Sequence, residues 1–140
     1  MAGLKLDQAM KIMEVGFAHG RANDCTPLGI AVLDPGGHLL TFAREDGTSF
    51  LRPAIAQAKA WGALGMGMGS RALVERPDRF IATLNAASDG KVLNAPGGVI
   101  VRDQAGEILG AVGVTGDVSD RDEACAIAGI EAVGLVADTG

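Results

Sequence analysis

At 140 residues the chain is long enough for one domain with a real core, and a single domain over residues 1–140 is expected. Apolar residues make up 48% of it, aromatic residues only 4%, and the net charge is -5. The acidic balance without a basic cluster excludes nucleic acid as the expected partner, and no run of about 18 apolar residues is present to span a membrane.

Leu4 to Ala22 has helical periodicity, with Leu6, Met10, Met13 and Phe17 forming one apolar stripe. Asn23, Asp24 and Pro27 stop it. Leu28 to Asp34 reads as a strand that is apolar on both faces and therefore covered on both. Asp34-Pro-Gly-Gly37 is a turn in which proline presets φ and glycine accepts a positive one. His38 to Arg44 returns as the second strand of a hairpin, with Leu40, Phe42 and Arg44 on one face.

Ser49 is placed to cap a helix running to about Leu64, with Pro53 tolerated in its first turns. Ala54, Ala58 and Trp61 line one side of that helix, and Ile55 and Lys59 lie beside it. The glycines from Gly62 to Ser70 predict a loose loop or a frayed helix end, with Met66 and Met68 filling core gaps or lining a pocket. Ser70 to Glu75 reads as a helical turn, Asp78 to Ala87 as a helix and Lys91 to Leu93 as a short extended piece.

A glycine-rich hairpin follows. Pro96-Gly-Gly98 leads into Val99-Ile-Val101, and Ile108 to Gly116 returns. Alternation puts Ala111, Gly113 and Thr115 on one face and Gly110, Val112, Val114 and Gly116 on the other. Glycine inside a strand marks a bulge or a close approach of another backbone, here a helix, a second subunit or a ligand. Ser119-Asp-Arg-Asp122 has capping-box spacing. The last helix is expected from Asp120 to about Val136, apolar nearly all round and therefore deeply buried or in a subunit contact.

Candidate site residues are few. Arg44 ends an apolar strand, where it pairs with Asp46, Asp117 or Glu123 or clamps a ligand carboxylate through two parallel bonds. Lys59 either snorkels along the apolar helix face or enters a pocket as a base or anion contact. Asp122 and Glu123 open the last helix, a position that favours acids for dipole reasons alone. The backbone of Pro96, Gly97 and Gly98 is either an anion nest or a bend into the sheet.

His19 and His38 have no metal-ligand spacing, so no metal site is expected. Cys25 and Cys125 are widely separated and read as reduced, partly buried thiols, with a disulfide or a catalytic cysteine as the lesser alternative. Gly110-x-x-Gly113-x-x-Gly116 lies within a strand and is not a dinucleotide fingerprint, and no nucleophile elbow is present. No secretory signal is visible at the N-terminus, and a cytoplasmic location is expected. So apolar a chain with so few large rings is expected to bury surface between copies of itself.

Four ordered stretches together resemble the GlcG/HbpS-type family, the glycolate-utilisation and haem-binding or haem-degrading domain that also ends some PduO proteins. These are Gly29-Ile-Ala-Val-Leu-Asp34 with Gly37-His-Leu-Leu and Arg44-Glu-Asp46; Ala56-Gln-Ala-Lys-Ala60; Pro96-Gly-Gly-Val-Ile with Gly106 to Gly116; and Asp122-Glu-Ala-Cys-Ala-Ile-Ala-Gly129. The resemblance implies an α+β fold, a three-layer α/β sandwich with an antiparallel five-stranded, profilin- or PAS-like sheet flanked by helices. It also implies a homo-oligomer (dimer, tetramer or octamer) that binds a small anionic ligand, with haem as the candidate cofactor. The alternative is an enzyme acting on a small organic carboxylate by hydration, deamination or isomerisation. It would use Lys59 and Glu123 as acid and base, with Arg44, Asp46, Pro96, Gly97, Gly98 and Thr115 as the ligand contacts. The further alternative is a scaffold without catalysis.

Overall fold

A computed structural model describes residues 3–140. The chain runs α1 (Leu6–Ala22), β1 (Gly29–Leu33), β2 (Leu39–Arg44), α2 (Arg52–Met66), a 3-10 turn (Ser70–Leu73), α3 (Asp78–Ser88), β3 (Gly98–Arg102), β4 (Ile108–Thr115), α4 (Ser119–Ala132) and β5 (Val136–Asp138). The five strands form one antiparallel sheet in the order β2-β1-β4-β3-β5. It is the expected α+β sandwich, with α1 and α4 on one face and α2 on the other.

Alternation in the three inner strands, β1, β4 and β3, sorts the layers. Ile30, Val32, Val99, Val101, Val112 and Val114 point into a core shared with Ile12, Met13, Cys125 and Ile130 of α1 and α4. Leu33, Ile100 and Ala111 point the other way, onto Ala60 and Ala63 of α2. The glycine reading of β4 is resolved in favour of a helix. A Cβ on Gly113 would stand 1.9 Å from the Ala56 carbonyl oxygen, and one on Gly98 would stand 2.1 Å from that of Lys59. The missing side chains let the backbone of α2 rest directly on β3 and β4.

Several expectations are corrected. Leu6 and Met10 are about half exposed; the buried face of α1 is Ala9, Ile12, Met13, Gly16 and Gly20, rotated from the expected stripe. Close approach explains the rotation. Gly16 lies against Ile30 and the Cys125 carbonyl, and a Cβ on Gly129 of α4 would meet the Ile12 carbonyl oxygen at 2.4 Å. A β-bulge moves the register from Val32↔Thr41 to Leu33↔Leu39, so Leu40 joins the α1/α4 core while Phe42 covers Gly29 on the opposite face.

Helix α2 does not fray at Gly62. It continues to Met66 and stops at Gly67, which takes the left-handed conformation. Its N-cap is Leu51, not Ser49. The last helix ends at Ala132, and the chain turns at Gly134 to add β5 against β3. The fifth strand is therefore Val136–Asp138, and Lys91–Leu93 lies outside the sheet. An ion pair between Arg102 and Asp138 at 2.9 Å fastens β5.

Candidate ligand-binding site

The expected site residues fall into two places, and a groove that holds none of them is the third feature. Lys59 is buried. Its helix passes over the Gly97–Gly98 bend, and its Nζ donates to the Val114 carbonyl at 2.9 Å and to Asp122 Oδ2 at 3.1 Å. Both partners of that ion pair are almost fully enclosed, with side chains 4% and 1% exposed. Burial pushes the lysine down and the aspartate up, and in each case it outweighs the attraction between them. Asp122 does not close a capping box: α4 has no side-chain cap, and Asp122 Oδ1 accepts the Asp117 N–H at 2.9 Å. The pair ties α2, β4 and α4 together, and the dipole argument for an acid at this position did not reveal it.

Pro96, Gly97 and Gly98 lie directly beside this pair, all buried. The Gly97 carbonyl accepts the Val114 N–H, and the Gly98 N–H donates to Ser70 Oγ at 2.9 Å. Ser70 Oγ in turn donates to the Ala95 carbonyl at 2.6 Å. Glu123 is next along α4, where its carboxylate accepts from Arg71 Nε and Nη2 at 3.1 and 3.0 Å. Those bonds hold the Arg71 guanidinium in its charged form. Among the described residues no buried side-chain polar atom lacks a partner.

A second cluster stands where the sheet meets the start of α2. Arg44, Gly29 and Thr115 form one row across β2, β1 and β4. Gly29 has room above it for Phe42 and the Arg52 stem, and Arg52 Nη1 donates to the buried Thr115 Oγ1 at 2.7 Å. Arg52 was not singled out in the sequence, because an arginine at a helix start carries no signal. Arg44 pairs with none of Asp46, Asp117 or Glu123; its contact is Thr48 Oγ1 at 3.5 Å. Asp46 is exposed at the turn after β2.

The third feature lies outside both clusters and follows the exposed side of α2 from Ala54 to Trp61. A groove of about 420 Å³ runs between the outer face of α2 and the β1–β2 turn, lined by Leu33, Gly37, Ala54, Gln57, Ala58, Trp61, Gly90 and Lys91. That size lies within the usual range of small-molecule sites. Lys91 Nζ sits 5.5 Å from the Trp61 ring centre. On the other side of Trp61 an apolar cleft of about 280 Å³ opens toward α3, with Met66 in its wall.

His38 follows Gly37 at the groove. Its Nδ1 lies 3.2 Å from Asp34 Oδ1, while its ring is 82% exposed. Asp34 also accepts the N–H groups of His38 and Gly36, and those bonds hold its carboxyl below the usual range. The groove thus offers an apolar wall and a lysine, and the histidine oriented by a carboxylate follows the lining Gly37 at its edge; a slot, an iron ligand and a cation for a propionate are the features against which haem would be matched. His19 is remote from this groove, in a smaller cavity with Cys25.

The family model described as Haem degrading protein HbpS-like matches residues 4–131. No curated protein matches the chain. Among solved structures, the PduOC–haem complex is similar at 20% identity and a TM-score of 0.84, over 96% of this chain and 97% of that one. The Klebsiella pneumoniae protein ORFY is similar at 20% identity and 0.87, over 96% and 92%. A double mutant of Streptomyces reticuli HbpS is similar at 24% identity and 0.81, over 96% and 89%. At such identities the shared property is the fold.

Proposed function

We propose, because this chain belongs to the HbpS-like family of haem-degrading proteins, that its Trp61 groove binds haem. The observation that carries this reading is the His38–Asp34 pair beside that groove. A histidine that ligates iron keeps one ring nitrogen on a carboxylate or carbonyl, which fixes the tautomer and frees the other nitrogen. Asp34 engages Nδ1, which leaves Nε2 of His38 as the nitrogen that would hold the iron. Leu33, Trp61 and the alanine face of α2 would hold the porphyrin, and Lys91 would meet a propionate. Haem, when bound, supplies a redox-active iron; the chain supplies the slot, the ligand and the charge.

Titration with haem, followed in the Soret region, tests the assignment. The expected result is a saturable band shift that His38→Ala abolishes and Trp61→Ala weakens. Absence of a shift, or an unchanged spectrum in the His38 variant, overturns it.

The second reading, a small organic carboxylate at the Arg44–Arg52–Thr115 cluster, is favoured by two guanidiniums whose side-chain bonds go only to hydroxyls. Both offer bidentate geometry to a carboxylate. In an enzyme of this kind Lys59 would need to leave Asp122, and Glu123 to leave Arg71, before either moved a proton. Calorimetric titration with mono- and dicarboxylates is expected to show binding that Arg44→Ala and Arg52→Ala both remove.

Leu6, Met10 and Leu39 are 58%, 51% and 48% exposed around the β2 edge, and Thr41 Oγ1 contacts Met10 Sδ there. This apolar surface supports a homo-oligomer, which native mass spectrometry counts directly.

A further inference from the structure

We propose that Cys25 and Cys125 are a peroxide-reactive thiol pair, in which Cys25 is oxidised first and Cys125 closes a reversible disulfide joining the end of α1 to α4. The proposal is independent of haem binding. The two cysteines are far apart in sequence, yet they meet at the last turn of α1. The Cys25 N–H donates to the Gly20 carbonyl at 2.9 Å. A Cβ on Gly20 would lie 3.7 Å from Cys125 Sγ, which places the second thiol against the same residue of α1 that holds the Cys25 N–H. Both are free and buried. Neither is used by the groove or by the polar cluster around Lys59.

The two thiols have different surroundings. Cys25 lines a cavity of about 130 Å³ together with His19, Asn23, Arg121 and Ala124; Cys125 is fully enclosed and does not. The cavity is several times the roughly 30 Å³ share of one liquid water, enough for a small hydroperoxide. Arg121 stands beside Cys25. It lines the same cavity, where its Nη2 donates to the Asn23 carbonyl. A sulfur on the wall of a cavity, with a cation on the same wall, is better placed to meet a peroxide than one enclosed on every side.

Cys125 is the opposite case. Burial pushes its thiol up to about 12, with the neighbouring Cys25 adding to the shift. Its enclosure keeps peroxide away, so it reacts after Cys25 rather than before it.

The chemistry balances with an alkyl or hydrogen hydroperoxide as the oxidant. The Cys25 sulfur attacks the terminal peroxide oxygen. An S–O bond forms, the O–O bond breaks, and the departing alcohol or water carries off the thiol proton. The Cys125 sulfur then displaces hydroxide from the Cys25 sulfenic acid. The S–S bond forms, the S–O bond breaks, and water leaves with the second thiol proton. The two thiols lose two electrons and the peroxide gains them. An external dithiol reverses the process.

Hydrogen peroxide added to the full-length, pre-reduced chain tests this. The expected result is loss of two hydrogens in intact mass, a non-reduced peptide linking Cys25 to Cys125 within one chain, and recovery on adding dithiothreitol. Cys125→Ser should instead accumulate a sulfenic acid on Cys25 that a 1,3-diketone probe labels, and Cys25→Ser should show neither product. The proposal is overturned by an unchanged mass, by disulfides only between chains, or by the probe labelling Cys125 in the Cys25 variant. The wild-type mass and peptide map decide the matter even where a variant fails to fold.

Discussion

The two faces of the sheet are covered by helices in opposite ways. Against α1 and α4 the strands offer a layer of valine and isoleucine, and every contact there is side chain on side chain. Against α2 they offer Gly98, Ala111, Gly113 and Thr115, and the helix backbone comes down onto the strands. The first layer is defined by what fills it, so trimming one group loses a share of the packing. The second is defined by what is absent, so adding one group has nowhere to go. The polar residues follow the same division. Lys59 and Ser70 sit on the α2 side because close backbone contact leaves carbonyls and N–H groups for them to bond.

Gly113→Val puts this contrast to its hardest test. The new Cβ would overlap the Ala56 carbonyl, a backbone atom that cannot swing aside. Loss of the native fold is expected, read as absent tertiary circular dichroism and no cooperative melting. A variant that melts near the wild-type temperature would show that α2 is not held where the glycines place it.

Asp122→Ala comes next. It leaves Lys59 buried without its counter-charge and the Asp117 N–H without its acceptor. Breaking one partner of a buried pair costs about 3–5 kcal/mol. Replacing both, as Lys59→Met with Asp122→Leu, should recover most of that loss, because burial already outweighs the attraction for each group. Urea unfolding of the single and double variants measures both, and a double variant no better than the single would mean that the pair itself stabilises the fold.

The opposite face should respond mildly. Ile30→Val removes one methylene from a layer whose neighbours share the space, and a cost of about 0.5–1.5 kcal/mol is expected. A larger loss would erase the distinction between the faces, since Ile30 also meets α1 at Gly16.

Much of this asymmetry is readable in the sequence, for a definite reason. Strand alternation is strict, so Ala111, Gly113 and Thr115 declare a small-residue face before any coordinates are known. Helical phase is less tightly specified. Leu6 and Met10 fit a stripe as well as Ile12 and Gly16 do, and only the close approach at Gly129 decides between them. Strand β5 has too few residues for a period to show, and its place comes from Arg102 and pairing with β3. The site shares that difficulty. Lys59 stands out as a charge on an alanine-rich helix, but its partner Asp122 is hidden among acids that suit any helix start. The groove at Trp61 arises from elements distant in sequence, and the Cys25–Cys125 meeting arises from the way α1 crosses α4.

Asp117 and Asp122 repeat the contrast within one loop and helix start, on a smaller scale. Asp117 accepts the Thr26 N–H at 2.8 Å and the Val118 N–H at 2.7 Å, and these bonds hold its carboxyl below the ordinary 3.8. Burial moves Asp122 the other way. With Asp117 depressed, the unfolded chain binds more protons near that pH than the folded one. Its contribution is complete above the ordinary value and is lost as pH falls through the folded one. With Asp122 raised, its contribution runs in reverse and declines as pH rises past 3.8. Asp117→Asn should therefore flatten the acid limb of a stability–pH profile by lowering its neutral plateau, since the contribution it removes is the one present above the ordinary value, while the acid end stays nearly unchanged. Chemical denaturation at steps from neutrality to about pH 3 reads this directly. An acid limb of unchanged slope would mean that the bonds to Thr26 and Val118 do not distinguish the folded from the unfolded carboxylate.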